Sequence, residues 1–438
     1  MNPNALNRAV SMPERAAAPD LFATWLRDHA TRLSHLGPDA PLDDLEPLRD
    51  AVAGARVVAV GENSHFIEEF ALLRHRVLRF LVERCGFTLF AAEYGFSEGF
   101  RLDEWARGAG HDADLHAHTA AAVPLGLEEP LRRLRRHNRT AARPVEFAGV
   151  DIPAAGGSLL PALEPVAAYL READPEALPF VETAARIAER FAGHSAAVGA
   201  PAWARLAPAD QDALSAALLR AVIRLRAVEP TCVARAGRRS YDIALRRLEA
   251  ACHGDYGMRA MSDLFAGRGL TADTSARDAF MAESVRWHLD RAAPGTRMVL
   301  VAHNAHIQRT PVVHAGGVTT LPMGRYLHET LGEEYFALAL TSTSGHAAEM
   351  PLDPDAKFGF TIGETELAPP EPGSVEAAFA AAGLGLALAD LRHAPPVPPG
   401  HAPDRIRLQS GYLRTPVRTA FDGVLNVPVS TVSRHPDL

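Results

Sequence analysis

Five ionisable residues follow short apolar segments, at the points where a strand-like pattern stops. They are Glu62, His65, Glu93, Asp151 and His303. The apolar segments, each predicted as a strand, span residues 56–60, 88–92, 145–150 and 297–302. Histidine and carboxylates are the residue types of general acid–base catalysis, in which a side chain moves a proton to or from the reacting group.

The predicted strands must bring these residues to one place. In an open α/β sheet, ligands bind in the crevice outside the carboxyl ends of the strands. We therefore expect the five side chains to line a single cleft. The alternative is that each is merely the first polar residue after a buried strand, but four strands that all end in this way favour a shared site.

The pattern along the chain predicts four segments. Residues 1–20 form a flexible N-terminus, 21–158 the first part of an α/β core, 159–291 a helical insert and 292–438 the second part of the core. Helix-like and strand-like segments alternate in the first part, which is the rhythm of βαβ units. Strands return at residues 297–302, 335–341, 358–362 and 424–427. The fold is thus predicted as α/β, with a mostly parallel central sheet flanked by helices and an all-helical insert covering the cleft.

Two helices are predicted from local sequence signals. Apolar spacing predicts a helix over residues 21–36. A second helix is predicted over residues 274–291, because Asp273, Thr274 or Ser275 can accept hydrogen bonds from the free backbone N–H groups of its first turn.

Composition excludes several classes of function. The 438 residues include 45 Lys and Arg against 53 Asp and Glu, a formal net charge of −8, which offers no general attraction to nucleic acid or anionic membranes. No apolar run approaches the roughly 20 residues that span a bilayer. Cys85, Cys232 and Cys252 show no paired spacing, so neither a disulfide framework nor a cysteine zinc site is indicated. A cytoplasmic protein with a small-molecule ligand fits these observations best.

A series of motifs occurs in a fixed order along the chain. It comprises Gly61-Glu62-Asn63-Ser64-His65-Phe66-Ile67-Glu68-Glu69-Phe70, Leu81-Val82-Glu83-Arg84, Glu93, Arg101-Leu102-Asp103-Glu104-Trp105, Gly149-Val150-Asp151, Asp273-Thr274-Ser275-Ala276-Arg277-Asp278, Ala302-His303-Asn304-Ala305-His306 and Pro322-Met323-Gly324. Taken together, the series resembles the landmarks of the erythromycin esterase family over residues 50–345. The closest likeness is to types A and C of that family.

The resemblance implies hydrolysis of a macrolide's lactone ester by an activated water, with no cofactor and no covalent enzyme intermediate. His65 matches the family's essential histidine. The family's other active-site positions are matched by Glu62, Arg74, Glu93 and His303. Three further residues of the same motifs are expected to bind the substrate: Asp151, Asn304 and His306.

Chemical roles can be assigned to the matched residues. A histidine at a helix N-terminus feels the positive end of the helix dipole, so we expect His65 to stay neutral, as a base must. Glu62 or Glu93 can orient its ring or share the water. Arg74 or His303 can face the carbonyl oxygen as that atom gains negative charge.

Two other motifs offer different chemistry. Gly95-Phe96-Ser97-Glu98-Gly99 follows a strand and precedes a helix, which is the context of a nucleophilic serine in a hydrolase. His111-Asp112-Ala113-Asp114-Leu115-His116-Ala117-His118 contains metal-ligand residue types, although it is more typical of a solvated loop. The cleft residues themselves are a second candidate for a divalent ion, which lowers the pKa of bound water.

Two alternative functions remain open at the level of sequence. One is a biosynthetic enzyme on the same scaffold, in which His65 moves a proton during ring closure or rearrangement. The other is a binding protein without catalysis. A product heavier by one water, a product of equal or lower mass, or no product at all distinguishes the three cases.

Overall fold

The computed structural model describes residues 21–120, 123, 125–313, 319–396 and 402–434. The predicted flexible N-terminus, residues 1–20, lies outside this part of the chain. The described strands are β1 (Thr31–Arg32), β2 (Val57–Val60), β3 (Leu89–Gly95), β4 (Glu146–Asp151), β5 (Met298–Val301), β6 (Val312–Val313), β7 (Thr319–Thr320), β8 (Tyr335–Glu349), β9 (Gly363–Glu366), β10 (Ala387–Asp390), β11 (Arg405–Leu408), β12 (Gly411–Arg414) and β13 (Gly423–Ser430).

The described α-helices alternate with these strands at first and then follow one another. They are α1 (Leu21–His29), α2 (Glu46–Ala51), α3 (Glu68–Cys85), α4 (Phe96–Ala106), α5 (Asp114–Thr119), α6 (Glu128–Asn138), α7 (Leu160–Ala173), α8 (Leu178–Ala188), α9 (Ala196–Ala204), α10 (Pro208–Ala227), α11 (Glu229–Ala236), α12 (Arg238–Phe265), α13 (Ala276–Arg291), α14 (Asn304–Ile307), α15 (Met323–Leu331), α16 (Val375–Ala381) and α17 (Val417–Ala420).

The central sheet is mostly parallel, as predicted. Its strand order is β1-β10-β13-β8-β2-β5-β3-β4, with β9 paired to β8. From β13 to β4 every neighbouring pair is parallel, whereas β1, β10 and β9 join in antiparallel fashion. The chain passes from β2 to β3 and leaves a gap that β5 fills later, while β8 adds on the other side of β2. Strands are thus added on both sides of β2. Such a switch in the order of strands opens a crevice at their carboxyl ends.

Helices cover both faces of the sheet because its strands are apolar on both faces. In β3, Phe90 and Ala92 pack with α3 in one core, whereas Leu89 and Ala91 pack with α13 in the other. Helix α3 contributes a stripe of buried side chains that includes Phe70, Leu73, Val77 and Leu81. The predicted α/β class, with helices flanking the sheet, is confirmed.

The helices from α7 to α12 build a core of their own. Residues such as Leu163, Val166, Leu218, Tyr241 and Leu248 pack with one another there. The next helix, α13, belongs instead to the sheet, since Met281, Val285 and Leu289 join the core that contains β5. The helical segment therefore stands between β4 and α13. No helix among the described residues is long and apolar enough to cross a membrane.

Three local predictions were wrong. The first helix ends at His29, and the chain continues as β1. Residues 358–362 form a turn rather than a strand: Gly359 has a left-handed φ of 73° and donates to Ala356. Helix α13 has no side-chain cap, because the Ser275 hydroxyl accepts from Leu321 N instead. In the first and third cases a distant contact, the pairing of β1 with β10 or the bond from Leu321 to Ser275, overrides the local signal.

Candidate active site

The predicted residues come together at the carboxyl ends of four adjacent strands. Glu62 follows β2, His303 follows β5, Glu93 lies in β3 and Asp151 ends β4. The register of β3 against β4 shifts between Ala92 and Gly95, so one extra residue is accommodated beside Glu93. Such bulges redirect side chains, and here the Glu93 carboxylate reaches the neighbouring strand end.

Glu62 joins His65 to Arg74. Its Oε1 atom accepts from His65 Nδ1 at 2.8 Å and from Arg74 Nη1 at 2.7 Å. Glu62 and Arg74 are buried, at 4% and 8% exposure, and Arg74 Nη2 also donates to Leu125 O at 3.4 Å. The shared carboxylate fixes the His65 ring with Nδ1–H toward Glu62, so Nε2 is the free nitrogen.

The pKa of His65 is raised, contrary to the dipole argument. Burial of the ring lowers this pKa, but the hydrogen bond and charge of Glu62 outweigh burial and raise it above the ordinary 6.5. Burial likewise raises the pKa of Glu62, and the charge of Arg74 outweighs burial and lowers it. The expected dipole effect is absent because α3 begins at Glu68, three residues beyond His65. His65 is therefore a stronger base than a free imidazole.

The sequence around His65 explains how the ring is held. A Cβ atom on Gly61 would lie 1.9 Å from Asn304 Oδ1, so only glycine allows this approach. Asn63 Nδ2 donates to Thr341 Oγ1 at 3.2 Å, and the Ser64 hydroxyl donates to Ala348 O and accepts from its N–H. These bonds attach the turn to β8.

The turn is also secured from the C-terminal side of the chain. Phe66 adopts a left-handed φ of 60°, and its carbonyl accepts from Ser433 N at 2.7 Å. Glu68 N donates to Thr431 O at 3.0 Å, and Thr431 N donates to Glu69 Oε2 at 2.8 Å. A strained residue next to a reactive one is typical of functional sites, where the surrounding contacts hold it.

Glu93 is the centre of a second group. Its Oε1 accepts from Arg277 Nη2 at 2.9 Å, and its Oε2 accepts from the backbone N–H of His303 at 2.9 Å. Arg277 also binds Asp151 through Nε at 2.9 Å and Nη2 at 2.6 Å. Asp151 is fully buried, and Arg277 connects it to Glu93.

His306 adds a positive charge to this group. Its Nδ1 donates to Asp278 Oδ1 at 2.7 Å, and its Nε2 lies 3.4 Å from Glu93 Oε1. Burial lowers the pKa of His306, but Asp278 and Glu93 outweigh burial and raise it to about 10. Burial raises the pKa of Glu93, and His306 and Arg277 hold it well below its ordinary value. Glu93 is thus an ionised anchor whose oxygens are both occupied.

His303 remains neutral beside His65. Burial and the neighbouring His65 lower the pKa of His303 to about 4. Its Nδ1 accepts from Ala305 N at 3.1 Å, which puts the proton of the neutral ring on Nε2. The centroids of the His65 and His303 rings are 5.2 Å apart. The neutral ring of His303, with its proton on Nε2, therefore lies beside the ring of His65.

The sequence predicted that Asn304 binds substrate, and it did not identify Arg277 and Asp278 as part of the site. The Asn304 amide is occupied by the backbone of Leu340, donating from Nδ2 at 2.8 Å and accepting at Oδ1 at 3.3 Å. Arg277 and Asp278 were quoted as part of a motif, but that motif was interpreted as a helix start. The available signal was two consecutive charged residues of opposite sign in the first turn of the helix.

Ser97 lies in a different environment. It belongs to the first turn of α4 and is 3% exposed, and its Oγ has no hydrogen-bond partner among the described residues. A nucleophilic serine needs a base within hydrogen-bond distance. The Glu93 side chain, four residues earlier, faces the histidines instead.

The metal-like motif at residues 111–118 overlaps α5, which begins at Asp114. His116 Nδ1 is 3.1 Å from Glu128 Oε1, and the carbonyl of His118 accepts from Tyr94 OH at 3.0 Å. In the described part of the chain, no group of three or more His, Cys, Asp or Glu side chains is arranged to hold a metal ion. The site is formed by hydrogen-bonded pairs of acid and base.

Comparison with known proteins agrees with this arrangement. The sequence model of the erythromycin esterase family matches residues 82–430. The chain belongs to the erythromycin esterase family. It is 37% identical over 413 residues to erythromycin esterase type II of Escherichia coli, covering 94% of this chain and 98% of that enzyme. Type I from the same organism is 29% identical, covering 88% and 93%.

Solved structures support the family and its fold. A mutant of erythromycin esterase EreC in its open conformation superposes with a TM-score of 0.84 at 28% identity, covering 94% of this chain and 99% of that one. A succinoglycan biosynthesis protein shares the fold at 19% identity and a TM-score of 0.72, covering 93% and 96%. Membership of the esterase family makes the chain an enzyme of the ester-hydrolase class. The likeness to types A and C stays a prediction. Sequence identity is higher to type II than to type I, whereas the superposed structure is that of EreC.

Proposed function

We propose that this enzyme opens the lactone ester of a macrolide-like small molecule by hydrolysis, with His65 as the general base. The relatives named erythromycin esterase support the substrate class. The observation that supports the mechanism is the bond from His65 Nδ1 to the buried carboxylate of Glu62, which leaves Nε2 as the nitrogen that can accept a proton. Free Cys85, Cys232 and Cys252 agree with a reducing cytoplasm as the place of action.

The proposed reaction begins with a water bound to His65 Nε2. His65 takes a proton from this water as the oxygen attacks the ester carbonyl, and a tetrahedral oxyanion forms. His303 donates its Nε2–H to the oxyanion, because its neutral ring carries the proton there. His65 then returns the proton to the departing alkoxide, leaving a hydroxy acid. The net change is the addition of one water.

The other polar residues act by holding these two histidines. Glu62 stabilises the imidazolium that forms on His65, and Arg74 keeps Glu62 ionised. Glu93 fixes the backbone of His303 through the bond to its N–H. Asp151 binds Arg277, Asn304 binds the backbone of Leu340, and His306 binds Asp278. We therefore assign these three residues to positioning rather than to direct contact with substrate.

The test follows the mass of erythromycin during incubation with the purified enzyme. We expect a product heavier by one water, and His65→Ala should lower the rate at least about 100-fold, within the range that a positioned base contributes. The matched control is His393→Ala, which changes a histidine that is 77% exposed and outside the site. Circular dichroism checks that both variants fold.

Each other outcome has a defined meaning. A product of equal or lower mass would indicate ring closure or rearrangement by the same histidine. A bound but unchanged macrolide would indicate a protein that only binds. Near wild-type turnover by folded His65→Ala would remove His65 from the mechanism.

A further inference from the structure

A second cavity lies between the α/β core and the helical segment. It has a volume of about 320 Å³. Its walls come from α4, the turn after β4, α7 and α12, through residues that include Glu98, Ala154, Leu160 and Arg247. The residues matched to the family's active site, His65, Glu62, Arg74, Glu93 and His303, do not line it, whereas the alternative nucleophile Ser97 does.

Arg247 enters this cavity without a partner. Its guanidinium forms no hydrogen bond or ion pair with any described residue, and its Nε is buried. The guanidinium carbon lies 4.9 Å from the centre of the Phe100 ring, and burial lowers the pKa of Arg247 to about 10. Arg247 as a whole is half-buried, but its buried Nε is a donor without a hydrogen-bond partner in the described structure, and such a donor is costly unless a ligand accepts from it.

Glu98 presents an acceptor to the same cavity. Its Oε1 accepts from Ala154 N at 2.6 Å, whereas Oε2 has no partner in the described structure. Burial raises the pKa of Glu98 to about 7. The cavity wall thus contains both a guanidinium donor and a carboxyl oxygen that has no partner in the described structure.

The backbone beside Glu98 is strained. Ala154 and Ala155 have φ values of 41° and 43°, which are unusual for residues with a Cβ atom. This conformation directs the Ala154 N–H toward Glu98. Strain of this kind persists at ligand sites, where the surrounding structure holds it.

We propose that this cavity is a substrate subsite for an uncharged, hydroxyl-bearing group such as a sugar ring, which accepts from Arg247 and donates to Glu98. A hydroxyl can do both at once. An anion would satisfy Arg247 but meet the Glu98 carboxyl, and a cation would meet Arg247. The apolar side chains of Leu160, Pro161 and Pro165 give the ring's C–H face a surface.

The subsite adjoins the catalytic residues. Asp151 ends β4, and the turn that follows it donates from Ala154 N to Glu98 Oε1 at 2.6 Å. Asp151 binds Arg277, which binds Glu93. A substituent held in the cavity would orient the ester toward His65. This inference rests on the proposed function, because it assigns the substituent to the same substrate.

The test compares erythromycin with its sugar-free aglycone as substrates. Arg247→Met should raise KM for erythromycin about tenfold, which corresponds to about 1.4 kcal/mol, with kcat nearly unchanged. KM for the aglycone should not change. Arg247→Lys, which keeps the charge and loses the planar fork, should give an intermediate KM. Arg220→Met is the matched control, since Arg220 is exposed on α10.

Binding by calorimetry in a His65→Ala background supplies a readout that does not depend on turnover. Erythromycin should bind more weakly when Arg247→Met is added, and the aglycone should not. An equal effect on both ligands, no effect, or competition by millimolar inorganic phosphate would overturn the subsite. If the wild-type enzyme opens neither substrate, the proposed function fails, while calorimetry still decides whether the subsite exists.

Discussion

Glu62→Gln changes the charge beside His65 and keeps the size of the side chain. The Glu62 carboxylate is buried and accepts from His65 Nδ1 and Arg74 Nη1 with the same oxygen. The amide retains one acceptor oxygen but carries no negative charge. Arg74 then becomes an unpaired cation next to the imidazole.

Two measurable effects follow from the loss of this charge. Burial and Arg74 lower the pKa of His65, whereas Glu62 raises it and Glu93 raises it less, so the variant removes the largest raising cause. The acidic limb of the kcat/KM profile, which reports the base in the free enzyme, should move to lower pH. On the plateau, losing a hydrogen bond to a charged group costs about 1.5–3 kcal/mol, or about 10- to 150-fold in rate.

The assay is kcat/KM for erythromycin between pH 5 and about 9, in buffers of constant ionic strength. Glu68→Gln is the control, because Glu68 is exposed in the first turn of α3 and its side chain makes no hydrogen bond in the described structure. An acidic limb that stays at the wild-type position in folded Glu62→Gln would refute the assignment of that limb to His65.

Two further predictions concern His306 and Ser97. The pKa of His306 is raised to about 10, so its stabilising contribution is complete below pH 6.5 and disappears as the pH rises toward 10. Urea unfolding of His306→Gln should therefore show the largest loss of stability near pH 6 and little near pH 10, and an equal loss at both would contradict this. Ser97→Ala should retain most activity, and fluorophosphonate should not label the wild-type enzyme, whereas labelling at Ser97 would establish a covalent mechanism.

The main strands were predictable because parallel strands buried on both faces read as continuous apolar runs. The strand predicted over residues 56–60 appears as β2, and that predicted over 297–302 appears as β5. Their carboxyl ends lie side by side because β2 and β5 are parallel neighbours in one sheet. Edge strands were not predictable in the same way: β10 is four residues long and pairs in antiparallel fashion with β1 and β13.

The partners of Glu93 were beyond the reach of sequence pattern. Arg277 lies 184 residues from Glu93 in the chain, and His303 N lies 210 residues away. Only the packing of α13 against β4 brings Arg277 between Glu93 and Asp151. A helix-start pattern contains no information about such a contact.

The protonation of His65 shows how magnitude decides between two effects. A helix dipole changes the energy of a nearby charge by about 0.3–1 kcal/mol and acts within the first turn. His65 stands before that turn, whereas Glu62 Oε1 is 2.8 Å from its Nδ1. A direct charged hydrogen bond is worth about 1.5–3 kcal/mol and therefore prevails. The motif contained this carboxylate three residues before His65, so local geometry was the missing information.

In the proposed mechanism the two histidines divide the acid–base work, because their surroundings move their pKa values apart. Glu62 raises the pKa of His65, while burial and His65 itself lower that of His303 to about 4. Across the neutral range His303 stays uncharged, so a proton that arrives on His65 meets no like charge 5.2 Å away. His65 can therefore accept and return a proton, and His303 can donate a hydrogen bond throughout. Reversing the two environments would place a permanent cation beside the base and slow the first proton transfer.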